Sequence, residues 1–317
     1  MKYCCICATL EKQTICRWSK LKLIWKIMSK IRVGIVGFGA LGQYLIKQLK
    51  FNIAGSQNFE LAFVHNRKAD KIEQSKLNIS ENKILRGDLN LAFEHFITSG
   101  QLVDLVVEAS HPDTIKESGA VILNHSDLMI TSLTALAESK TYNRLKELAL
   151  QRKNSIYIPS GAGWGFQDIK KMADLQTLTG LSVSMKFHYD ALKLNEPLRS
   201  ILSHYVDSDD NKDQVIFQGS VRDLAMLAPN NVNTMCGLAL AGHNIGFDLT
   251  QATLIASKTS HEHEVHIQIS GPNGYTVESR RINPALPGAV TGSMTFSSFL
   301  SSLLAYKGGH RSGLCFV

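Results

Sequence analysis

The chain has 317 residues, 44% hydrophobic and 19% charged, with 23 glycines, 7 prolines and a net charge of +7. That length and apolar content give one large or two medium domains with cores of their own, and exclude a disordered, collagenous or disulfide-stapled chain. Six of the seven net positive charges fall in residues 1–30, so the rest of the chain is nearly neutral and lacks the concentrated basic face that binding nucleic acid requires.

Residues 1–30 form an extension of unassigned role that also holds Cys4, Cys5, Cys7 and Cys16. The Cys4-Cys5-Ile6-Cys7 run lacks the two-residue gap by which paired thiolates converge on one zinc, and no metal site is expected in the chain. Glu11 and Lys12 interrupt the apolar stretch that a signal peptide needs. Trp18, Leu21, Trp25 and Met28 have helical spacing with lysines opposite, the pattern of a targeting or membrane-surface helix. The plainer alternative is that Met28 is a second start just before the first strand. No run of about 18 apolar residues occurs, so a cytoplasmic protein without a membrane span is expected.

From Ile31 strands and helices alternate, the mark of a parallel sheet with helical crossovers. Ile31–Val36 reads as an apolar strand, Ala40–Lys50 as a helix with Leu41, Leu45, Ile46 and Leu49 on one side, and residues 59–64 as the second strand. A strand over 102–109 leads into a helix opened by His111-Pro112-Asp113, with Pro where a missing N–H costs nothing. Strands at 128–130 and 156–158 flank a helix over 141–152. After Pro159 the segments 182–187, 215–217, 252–255 and 265–269 alternate polar and apolar, the habit of an antiparallel or mixed sheet. A helix at Asn233–Ala241 interrupts them, and a long helix over 288–306 closes the chain.

Gly37-Phe38-Gly39-Ala40-Leu41-Gly42 follows the first strand and opens the first helix, the context that makes GxGxxG a dinucleotide fingerprint. Gly37 permits the tight turn, Gly39 lets the backbone approach a pyrophosphate, and Gly42 allows close packing of helix on strand, while the N–H groups of the Ala40-Leu41 turn face the phosphates. The second strand ends in His65-Asn66-Arg67, without the carboxylate that would repel a 2′-phosphate. Asn66 and Arg67 therefore admit NADP as well as NAD, unless Arg67 is simply a solvated loop residue.

Four further segments, 107–112 (Val-Glu-Ala-Ser-His-Pro), 159–165 (Pro-Ser-Gly-Ala-Gly-Trp-Gly), 229–234 (Pro-Asn-Asn-Val-Asn-Thr) and 283–293, together resemble the L-aspartate dehydrogenase family in its animal form. The resemblance covers nearly everything from Ile31 to Leu304. It implies an α/β fold: an N-terminal Rossmann domain with a doubly wound parallel sheet over 31–162, completed by 285–317, and an α+β catalytic and dimerisation domain with a mixed sheet over 163–284. It also implies a homodimer and NAD(P)-dependent oxidative deamination of L-aspartate, through iminoaspartate, to oxaloacetate and ammonia. By the same resemblance Ala162 and Asn233 contact the cofactor; for Asn233 the alternative is a helix N-cap. Ser160, Gly161 and Asn231 are candidates for the substrate carboxylates, together with a basic residue that no motif places; Lys258 is the nearest option and reads as exposed.

The family's prokaryotic members carry a histidine whose column falls here on Val265. Side chains alternate along a strand, so His261, His263 and Val265 share a face and His266 takes the other. His263 is thus the expected acid–base residue, one pleat repeat from the family's position, its ordinary pKa near 6.5 suited to proton transfer at neutral pH. A solvated His/Glu edge strand and a His-x-His metal site are the alternatives. His111, at the carboxyl end of a parallel strand, is the second candidate, or a turn residue before Pro112. Two other functional readings stay open: a non-catalytic NAD(P)-binding dimer that lost its histidine, and an oxidoreductase of the same shape acting on another dicarboxylate or a semialdehyde.

Overall fold

The computed structural model describes residues 30–53, 55–308 and 312–317. The readings made for residues 1–29 lie outside the described residues.

The first half builds β1 (Ile31–Val36), α1 (Ala40–Lys50), β2 (Phe59–His65), α2 (Asp70–Glu73), β3 (Ile84–Leu85), α3 (Leu89–Thr98), β4 (Leu105–Glu108), α4 (Pro112–Leu123), β5 (Asp127–Ile130), α5 (Ser139–Arg152) and β6 (Ser155–Ile158). The second half builds α6 (Phe166–Asp174), β7 (Gly180–His188), α7 (Leu198–Asp207), β8 (Gln214–Ser220), α8 (Val221–Leu227), α9 (Asn233–Ala241), α10 (Gly246–Leu249), β9 (Gln251–Ser257), β10 (Glu262–Ser270) and β11 (Thr276–Pro284). The chain then forms α11 (Ser293–Leu304) and β12 (Gly313–Phe316).

The strands of the first half join β12 in a parallel seven-stranded sheet of order β12-β6-β5-β4-β1-β2-β3. Its central strands are continuous apolar runs, because both faces are covered: every residue of β4 and β6 is buried. On one face Leu45, Ile46 and Leu49 of α1 pack with Leu300 and Leu303 of α11, and Tyr44 meets Phe296 at 5.5 Å between ring centroids. On the other face Phe63, Phe93 and Phe96 form an aromatic cluster within a core that continues under the second sheet. The sheet order reverses beside β1, and the ends of β1 and β4 open the crevice in which such folds bind ligands.

The second sheet has the order β11-β10-β7-β9-β8 and is mixed, since β7 and β9 run parallel while the other pairs are antiparallel. Strict alternation of burial along β7 shows a sheet with one face on the core. The α/β fold with a parallel sheet and a second, mixed sheet is the one expected. Some bounds differ. The closing helix starts at Ser293 rather than residue 288, because Gly288 has φ +77° and Gly292 is the extended N-cap. The strand read over 102–109 pairs only over Leu105–Glu108, and α3, β11 and β12 were not anticipated.

Candidate active site

At the carboxyl end of β1 the fingerprint builds a cradle that side chains would fill. A Cβ on Gly37, where φ is +111°, would lie 2.2 Å from the Ala109 carbonyl oxygen, and one on Gly42 would lie 2.1 Å from the Gly37 oxygen. Nothing lies within 4 Å of the same position on Gly39, whose backbone borders open space. Helix α1 has no side-chain cap and no acidic residue in its first turn, so its N-terminal N–H groups stay available to an anion. These features fit a dinucleotide pyrophosphate. Gly37→Ala is expected to cost about 1–3 kcal/mol of stability through strain and to weaken NADH binding at least about tenfold, both readable by calorimetry; unchanged affinity would put the pyrophosphate elsewhere.

A groove of about 410 Å³ runs from this turn along Asn66, Arg67 and Lys71. Asn66 holds the turn from below: its Oδ1 accepts from the Phe38 N–H at 3.3 Å and its Nδ2 donates to the Lys68 carbonyl at 2.9 Å. Arg67 stands exposed at the rim. His111 lines the same groove and caps α4, its Nδ1 accepting from the Asp113 N–H at 3.3 Å and lying 3.1 Å from the Asp113 carboxylate. It caps the helix and is not among the residues that line the cavity described next.

A second cavity, of about 120 Å³, lies where the two sheets meet, with Leu41, Ala162, Asn233, His263 and Arg281 among the residues lining it. Leu41 belongs to the start of α1, so the cavity adjoins the fingerprint. Helix α9 is buried along nearly its whole length, an apolar segment enclosed by protein on all sides. The N-cap of that helix is Val232, so Asn233 does not cap it; its Oδ1 instead accepts from the Thr134 N–H at 3.1 Å and the Thr134 hydroxyl at 3.3 Å. With its oxygen held, the amide N–H groups are what Asn233 offers a ligand.

His263 sits on β10 facing inward and is only 6% exposed, its ring 4.7 Å from that of Phe187. Its Nε2 is buried with no hydrogen-bond partner. Burial pulls the imidazole pKa below its ordinary value, more than a backbone hydrogen bond to Ala289 raises it, so the ring is neutral at pH 7. Val265 lines the cavity beside it, while His261 is exposed. Among the described residues no group of three His, Cys, Asp or Glu side chains could hold a metal ion.

The remaining candidates fall differently. Ser160 is tied to Val317, whose oxygen accepts from both its N–H and its hydroxyl at 2.9 Å, and it lines a neighbouring groove rather than the cavity. The Gly161 carbonyl accepts from Arg281 at 3.0 Å. Asn231 borders the cavity, but its Oδ1 accepts from the Lys193 N–H and its Nδ2 donates to the Ala191 carbonyl, both at 2.8 Å, which makes it a brace of the loop. Lys258 turns away, over the Tyr205 ring and onto the Ser208 carbonyl. Glu108, not singled out in the sequence, is fully buried at the end of β4 under four donors from Ser110 and Ser132.

Both halves of the chain match described families. Residues 168–303 match the family described as "Aspartate dehydrogenase, C-terminal", and residues 37–159 match "Homoserine dehydrogenase, NAD binding domain". The chain is 39% identical to the aspartate dehydrogenase domain-containing protein of Danio rerio over 287 residues, 90% of this chain and 98% of that one. It is 27% identical to an L-aspartate dehydrogenase of Nitrosopumilus maritimus, over 78% of this chain and 87% of the relative. The crystal structure of aspartate dehydrogenase from Thermotoga maritima superposes with a TM-score of 0.60 at 21% identity, covering 87% of this chain and 97% of that one, which shows a common fold.

Proposed function

The chain belongs to the aspartate dehydrogenase family, and on that premise we propose that it is an NAD(P)-dependent L-aspartate dehydrogenase, converting L-aspartate through iminoaspartate to oxaloacetate and ammonia, and the reverse. The observation that carries the reading is His263 Nε2, a buried, unpartnered imidazole nitrogen on a cavity that adjoins the dinucleotide fingerprint.

In this reading Gly37, Gly39, Ala40, Leu41, Gly42 and the N-terminus of α1 hold the pyrophosphate, Asn66 and Arg67 the ribose, and Ala162 and Asn233 the nicotinamide end. The dinucleotide, when bound, supplies the hydride acceptor. Everything else falls to the protein. A neutral His263 accepts a proton from the substrate ammonium, exposing the amine lone pair, and releases it to solvent; it then accepts a proton from the water that adds to the iminium carbon and passes it to the nitrogen that leaves as ammonia. Its place in a cavity of about 120 Å³ limits the competing bulk water. NADP should be accepted as well as NAD, because β2 runs into Asn66 and Arg67 with Lys71 close by and no carboxylate at the ribose position. A homodimer is part of the same reading, supported by the nine-residue edge strand β11, which leaves Val277 and Ile282 exposed.

The test follows NADH and NADPH absorbance with the full chain, oxaloacetate and ammonium. Oxidation that requires ammonium is the expected result with both cofactors. Oxidation by oxaloacetate alone would make the protein a hydroxy-acid dehydrogenase, and dinucleotide binding without turnover would favour a non-catalytic binding protein.

A further inference from the structure

The cavity beside His263 has one strongly charged wall. Among its described lining residues there is no Asp, Glu or Lys, and Arg281 is the single permanently charged side chain. In the antiparallel pairing of β10 with β11, His263 lies opposite Asn283 and Val265 opposite Arg281, so all four residues share the face that looks into the cavity. The next residue back, Arg280, takes the other face and forms a two-pronged pair with Glu264 at 2.7 and 2.9 Å. No described carboxylate lies within ion-pair distance of Arg281; among the described residues its side chain donates one hydrogen bond, from Nη1 to the Gly161 carbonyl. Burial pulls its pKa below the ordinary arginine value, and no acidic group among the described residues offsets it.

A half-buried guanidinium without a counter-ion is unfavourable in the empty site and favourable once an anion arrives. The Gly161 bond fixes the plane of the fork and leaves the other N–H groups for a planar, two-oxygen partner. We propose that Arg281 binds a carboxylate of the substrate and so sets the enzyme's preference for an acidic substrate, holding it beside His263. The inference rests on the dehydrogenase reading above and extends it to the substrate's charge.

The experiment measures succinate binding to the protein–NADH complex by calorimetry, and KM for L-aspartate, in wild type, Arg281→Met and Arg281→Lys. Loss of a charge-assisted hydrogen bond predicts that Arg281→Met weakens succinate binding and raises KM by about 10- to 100-fold. Arg281→Lys should fall between, because lysine keeps the charge without the fork, and it supplies the comparison should the methionine variant fail to fold. NADH affinity should stay at the wild-type value. Equal succinate affinity and KM in wild type and either variant would overturn the proposal, as would a parallel loss of NADH binding, which would mean that Arg281 only supports the Gly161 turn. A wild type inactive on aspartate whose succinate binding still depends on Arg281 would keep the anion site and remove the dehydrogenase reading. Turnover of aspartate with KM indifferent to Arg281 would do the opposite.

Discussion

Replacing His263 with alanine is expected to lower kcat/KM for L-aspartate by about 10²- to 10⁴-fold, the usual contribution of a positioned acid–base group, while NADH affinity holds. The two effects separate because His263 lines the cavity and not the groove that holds Asn66 and Arg67. Burial lowers the imidazole pKa, so the acid limb of the kcat/KM profile should lie below the ordinary histidine value of about 6.5 and should vanish from the residual activity of the variant. Stability follows the same sign. A base whose folded pKa is lowered binds more protons unfolded, so its contribution is complete above about 6.5 and is lost as pH falls toward the folded value. A variant with wild-type kcat/KM and an unchanged acid limb would move the proton transfer to another group or to water.

The parts of the molecule that were legible in the sequence are those where one local pattern dictates one structure. The fingerprint glycines sit between an apolar strand and an amphipathic helix, and the chain folds there as that pattern requires. Alternation placed His263 and Val265 on one buried face, because a half-buried strand leaves little freedom of register. Arg281 escaped for the opposite reason. Its strand, Thr276–Pro284, lies at the sheet edge with most of its residues exposed, so it carries no apolar alternation to announce itself. An edge strand without that pattern does not fix the face on which its two arginines stand, and no motif marks either of them. β12 is four residues long, and only its pairing with β6 marks it as a strand. The closing helix is shorter than its composition suggests: the run of small residues after Gly288 tolerates helix, while the left-handed backbone at Gly288 and the packing of Gly292 against the Asn283 amide do not.

Glu108→Ala is expected to destabilise the protein by about 3–5 kcal/mol, the cost of stranding the two buried Ser132 donors and of losing two part-buried bonds from Ser110. The carboxylate is fully buried where β4 ends: Oε1 accepts from the Ser110 N–H at 2.7 Å, the Ser110 hydroxyl at 3.0 Å and the Ser132 hydroxyl at 2.9 Å, and Oε2 accepts from the Ser132 N–H at 3.0 Å. Burial pushes its pKa up, outweighing those four donors. Ser110 lines the groove beside the fingerprint, and Ser132 follows Thr131 of the cavity, so one side chain clamps two loops that border the groove and the cavity. At about 2–4 °C per kcal/mol for a chain of this size, the alanine variant should melt roughly 10 °C lower and bind NADH more weakly. Glu108→Gln separates clamp from charge. The amide oxygen can keep the three donors of Oε1, and its NH₂ group then opposes only the Ser132 N–H, a cost of about 1–3 kcal/mol. A graded loss, alanine well below glutamine and glutamine below wild type, follows from the clamp. Equal melting of glutamine and alanine variants would mean that the charge itself, and not the geometry of its donors, holds the two loops together.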